Sequence, residues 1–71
     1  MGYKSTDACL AKVADDEPIF VLRAQDRLAP GVVRDWADKA EAAGHCPPEK
    51  IAEARELAAE MERWSFRKFP D

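Results

Sequence analysis

Three glycines, at positions 2, 31 and 44, are all that the chain contains, and they are scattered. No glycine-rich loop is therefore available to cradle a phosphate. A single histidine, His45, leaves the chain short of the commonest general base. Cysteine is equally sparse, with Cys9 and Cys46 far apart. A structural zinc site usually pairs its ligands two to four residues apart, twice over. The adjacent His45 and Cys46 with a distant Cys9 do not meet that spacing, and sequence neighbours cannot readily face each other as a nucleophile and its base. The expectation is no enzyme, no metal and no cofactor. Basic residues are not in excess either. A net charge of −3 argues against the sequence-independent grip on phosphate that most nucleic-acid binders need.

Long apolar runs are missing as well. Nothing approaches the roughly 20 residues that span a bilayer, and the opening Met-Gly-Tyr-Lys-Ser-Thr-Asp carries no signal-peptide core. A cytoplasmic protein with reduced thiols and no membrane partner is expected. What is present is globular: 35% charged and 46% hydrophobic residues in a chain of 71. A core of this size rarely supplies more than about 3 to 5 kcal/mol, so self-association or a partner is a natural supplement.

Pattern places an all-α fold on one domain over residues 1–71, with 1–5 and 66–71 read as tails. Thr6 or Asp7 suits the cap of a short helix carrying Cys9, Leu10 and Val13. Asp15 and Asp16 then suit the cap of a second helix over about 18–27, with Glu17 and Pro18 in its first turn. The run Ile19, Phe20, Val21 and Leu22 also fits a buried strand. No second β-rich run exists in the chain, so that strand would have to pair with another molecule.

Pro30 opens the next helix, with Val33, Trp36, Ala37, Ala40 and Ala43 at helical spacing, and Gly44 ends it. A tight His45-Cys46-Pro47 link predicts an antiparallel hairpin with a last helix started by Pro48 and Glu49. Its apolar positions are Ile51, Ala54, Leu57, Ala58, Met61 and Trp64, keeping the period to about residue 65. The alanine-rich faces allow close approach of the two axes, and Trp36 and Trp64 are expected to fill the ends. Carboxylates at 35, 38, 41, 53, 56, 60 and 62 read as solvated, with local pairs Lys50 to Glu53 and Glu60 to Arg63.

Two polar clusters are candidates for partner contact. One is the acidic run Asp15, Asp16 and Glu17. The other is Arg23, Gln25 and Asp26, set beside the apolar run, where an unpaired buried polar group would cost about 1 to 3 kcal/mol. A polar network of the three tying the second helix to the following Leu28-Ala29-Pro30 turn is the plainer account of the second cluster, and an Arg and an Asp on an apolar platform suit recognition. The C-terminal Arg63, Trp64, Phe66, Arg67, Lys68 and Phe69 mix cations with aromatics as single-strand binders do, but burial of Trp64 and Phe66 on the hairpin is favoured.

The run Asp-Glu-Pro-Ile-Phe-Val-Leu-Arg-Ala-Gln-Asp-x-Leu-Ala-Pro at 16–30, followed by Val33, Trp36 and Ala37, then Ala52-Glu53-Ala54-Arg55 and Met61-Glu62-x-Trp64, resembles a group of small uncharacterised proteins encoded by bacteriophages and prophages. The resemblance covers about residues 16–65. It brings no catalytic residue or cofactor. What it implies is a setting in which accessory proteins bind and redirect or block a host protein, anti-CRISPR and other anti-defence inhibitors included. The function expected is a non-catalytic protein-binding module, a phage-borne modulator of a host complex. The alternative is a small homodimeric structural phage component, and third a small metal protein or enzyme.

Overall fold

Alanines spaced along two helical faces decide how this chain packs. The computed structural model describes residue 3 and residues 8–69 and shows an all-α protein of three helices: α1 (Ala8–Lys12), α2 (Ala29–Ala43) and α3 (Pro48–Glu62). Helices α2 and α3 form the antiparallel hairpin, and they are the pair that packs. Ile51, Ala54, Ala58 and Met61 recur every three or four residues along α3 and are buried, while Ala37 is buried opposite on α2. Val33, Ala40 and Cys46 close round the Ala37, Ile51 and Ala54 cluster. With methyl groups on the seam, the helix axes approach closely and no large side chain is wholly enclosed.

The ends of α2 follow from local chemistry. Pro30 sits in its first turn, where a missing N–H costs nothing. Gly44 takes the left-handed conformation, φ 76°, and its N–H reaches the carbonyls of Ala40 (3.3 Å) and Glu41 (3.2 Å), a stop that a side chain would strain. Pro48 opens α3 in the same way.

Ion pairs clamp the hairpin from outside. Arg34 of α2 donates through both terminal nitrogens to Glu62 of α3 at 2.7 Å each. Arg55 of α3 reaches back to Asp38 (2.9 Å) and Glu41 (3.3 Å). The acidic faces are thus recruited across helices. Among the described residues, the ion pairs run between helices or from Lys39 to Asp35, and neither Lys50 to Glu53 nor Glu60 to Arg63 forms. Packed axes bring opposite helix edges together with a better fork geometry than a local pair offers.

Four sequence expectations are corrected. There is no helix over 18–27: the chain turns at Asp15 and Asp16, then runs without turn or bend through residues 18–23. An isolated two-turn helix would spread Ile19, Phe20, Val21 and Leu22 round all its sides with one side to bury, and β-branched Ile19 and Val21 favour an extended course. Asp15 and Asp16 therefore cap nothing. Trp36, Trp64 and Phe66 are exposed and do not plug the hairpin ends. Ala37, Ile51, Ala54, Ala58 and Met61 already fill the seam, and the indoles lie outside it. Leu57 is half-buried and belongs to the rim of the core, and α3 stops at Glu62, short of residue 65.

Residues 67–69 are held as a strap. Lys68 donates its N–H to the Gln25 carbonyl at 2.6 Å and accepts from the Arg27 N–H at 2.8 Å, one rung of parallel pairing. The Arg67 guanidinium lies beneath, donating to the carbonyls of Arg27 (3.2 Å), Asp26 (3.5 Å) and Glu62 (3.4 Å). Arg27 in turn lies 5.6 Å over the Phe69 ring. This strap joins the end of α3 to the start of α2. Residues 1, 2, 4–7, 70 and 71, which include the Thr6 and Asp7 cap positions and most of the N-terminal tail, lie outside the described residues.

A radius of gyration of 12.8 Å exceeds the roughly 11 Å expected for a chain this long.

Candidate protein-contact face

Residues 18–24 cannot enter the thin alanine seam, so they lie alongside the C-terminal half of α3. Between them is a groove of about 830 Å³ lined by Tyr3, Leu10, Phe20, Val21, Leu57, Met61 and Trp64 among others. Its walls are unusually bare. Phe20 is 85% exposed, Val21 66% and Trp64 56%, with Tyr3, Leu10 and Ile19 about half or more. Scattered exposed apolar residues are normal, but a contiguous patch marks a contact surface.

The groove carries one charge of each sign, Arg23 and Glu60. Glu60 accepts the Tyr3 hydroxyl at 3.0 Å, and donating to that carboxylate pushes the phenol above its ordinary pKa. No acceptor takes the Arg23 guanidinium among the described residues. Beyond the groove, Glu62 is held below the ordinary glutamate range by its bond to Arg34, which itself is raised.

The two sequence-derived clusters meet different fates. Asp15, Asp16 and Glu17 form an exposed acidic turn at the start of the bare segment, closed by the Glu17 N–H on the Ala14 carbonyl at 3.1 Å. Of the second cluster, Arg23 alone faces solvent on the groove. Asp26 is structural: its Oδ1 takes the Leu28 N–H at 2.8 Å and its carbonyl takes the Ala29 N–H at 3.1 Å, which launches α2. Gln25 holds the strap through its carbonyl. Sequence reasoning missed the role of Arg67, which depends on two carbonyls, of Asp26 and Arg27, some 40 residues away, and on that of nearby Glu62. It also missed the clustering of Trp64, Met61 and Tyr3 with the run at 19–22, although that unbroken run was itself a signal that an uncovered face would remain.

Cys9 is exposed on α1, and Cys46 is half-buried against the core. Among the described residues no three His, Cys, Asp or Glu side chains converge as a metal site would require, and no helix is long and apolar enough to cross a membrane. Comparisons with protein-family models, with curated proteins and with solved structures found no match.

Proposed function

We propose that this chain is a non-catalytic protein-binding module, a phage-borne modulator or inhibitor of a host protein complex of the anti-defence or anti-CRISPR kind, acting in the host cytoplasm. The observation that supports it is the groove beside α3. Its floor is Met61 and Leu57 of α3, and Phe20, Val21, Tyr3 and Trp64 on its rim stand half or more exposed, an open shape unlike the enclosed cavity of a small-molecule site. They suit the broad apolar centre of a protein interface, with aromatic anchors at Phe20, Tyr3 and Trp64 and charges at the edge. Arg23 is the rim cation, and the acidic turn at 15–17 extends the rim.

The test is a binding comparison in the native host. Full-length protein as bait should recover a partner in fixed proportion, and Arg23→Glu should weaken that capture while melting is unchanged. Individual Cys9→Ala, His45→Ala and Cys46→Ala changes should leave it intact. Loss of activity in a folded His45 or Cys46 variant, with Arg23→Glu indifferent, would overturn the reading in favour of a chemical site in the hairpin connection.

A further inference from the structure

The bare segment has a property that one copy of the chain does not use. From Glu17 to Arg23 the sequence reads Glu-Pro-Ile-Phe-Val-Leu-Arg, with opposite charges equally far on either side of Phe20. Residues 18–23 run straight, and no backbone N–H of residues 19–24 finds an acceptor among the described residues. An extended, apolar, unpaired edge is a template for a strand from another molecule.

The geometry points to a second copy of this chain as the occupant, its Glu17–Arg23 segment pairing antiparallel with the first across a two-fold axis at Phe20. This rests on the reading of the groove as a protein-contact face and assigns it, in the free protein, to a second copy, for which a host protein would compete. In that register Glu17 of each copy faces Arg23 of the other, and Ile19 faces Val21. Oppositely charged and apolar pairs directly opposite are the stabilising kind. Pro18 fixes which pairs exchange hydrogen bonds. Having no N–H, it belongs in a non-hydrogen-bonded pair, so 18 with 22 and 20 with 20 are the close pairs. The 19 and 21 pair then exchanges N–H and C=O, and at the ends the Arg23 N–H donates to the partner copy's Glu17 carbonyl while the Glu17 N–H stays on Ala14 and the Arg23 carbonyl on the Asp26 N–H. The two Phe20 rings then meet at the axis.

Charge and area both fit. Among the described residues the Arg23 side chain has no partner, and Glu17 accepts one long contact, from the Ala14 N–H at 3.4 Å. The exposed parts of Tyr3, Leu10, Ile19, Phe20, Val21 and Trp64 amount to roughly 700 Å². That is close to the roughly 800 Å² each partner gives to a standard interface, and the two-fold arrangement is the simplest closed assembly.

Sedimentation equilibrium of the purified full chain across the micromolar range tests this, with Glu17→Arg, Arg23→Glu and the double exchange. The parent should be a dimer. Each single reversal sets two like-charge pairs across the axis and should weaken dimerisation about tenfold or more, and the double exchange should return it to within about threefold of the parent. Helical circular dichroism should be unchanged in all, because both positions lie outside α2 and α3. Phe20→Cys in a Cys9→Ser, Cys46→Ala background should oxidise to a disulfide-linked dimer, as cysteines in a close antiparallel pair do. A parent that stays at 7.9 kDa throughout, or a dimer indifferent to the single reversals or not restored by the double, overturns the inference. A monomer that still captures a host protein through Arg23 sinks the dimer and leaves the contact-face reading standing.

Discussion

Ile51→Ala is the sharpest test of the hairpin core. Ile51 is the largest side chain in the Ala37, Ile51 and Ala54 cluster and is 6% exposed. Shortening it strips an ethyl and a methyl group, worth about 2.4 kcal/mol of transfer at ~0.8 kcal/mol per carbon. The surrounding side chains, Ala37, Ala40, Ala54, Val33 and Cys46, are all short and cannot swing in far enough to refill the space, so a cavity cost adds to this. Together they give about 3 kcal/mol, within the 2 to 5 kcal/mol range of such truncations. Against a total of about 3 to 5 kcal/mol, most of the stability goes. Urea titration followed by helical circular dichroism, at one protein concentration, should show the midpoint falling by half or more with the slope preserved. In a thermal scan the drop should be roughly 12 to 24 °C. Val32→Ala, on the exposed side of α2, should stay within about 0.5 kcal/mol of the parent. An Ile51→Ala midpoint indistinguishable from the Val32→Ala control would refute the core.

Further outcomes follow from individual contacts. Asp26→Ala removes the 2.8 Å bond that launches α2 and should cost about 1 kcal/mol in the same titration, with Asp26→Asn recovering most of it. Arg67→Met should release the strap, so that hydrogen exchange at the Arg27 and Lys68 amides speeds up while amides within α3 keep their protection; unchanged exchange would deny the guanidinium its role. Glu62 has a folded pKa below its unfolded one because of Arg34. Its contribution is therefore complete above the unfolded pKa and is lost as pH falls through the folded one. Stability measured from pH 6 downward should fall less steeply in Arg34→Gln than in the parent, and parallel curves would contradict the pairing. Leu57→Ala should cost about half as much as Ile51→Ala, because Leu57 is half-buried on the groove wall.

The helix hairpin was legible in the chain because its signals are local or periodic. Pro30 and Pro48 mark starts, Gly44 marks a stop, and Ile51, Ala54, Ala58 and Met61 repeat at the helical period whatever they pack against. A polar link from the 23–26 cluster to the Leu28-Ala29-Pro30 turn was legible in outline, but not that the Asp26 carboxylate alone makes it, nor that no helix precedes it. The course of residues 18–27 was not. Ile19 to Leu22 satisfy a helix and a strand equally well by residue type, and the choice fell to what lay beside them, a seam already closed by alanines. Tertiary structure alone decided that Trp36 and Trp64 stay exposed, because the seam is filled by Ala37, Ile51, Ala54, Ala58 and Met61. It also decided that Arg34 and Arg55 bridge helices and that Arg67 joins the carbonyls of Asp26 and Arg27, before α2, to that of Glu62 at the end of α3. Such contacts depend on distances that no sequence spacing encodes, and the uncovered face beside α3 is their sum.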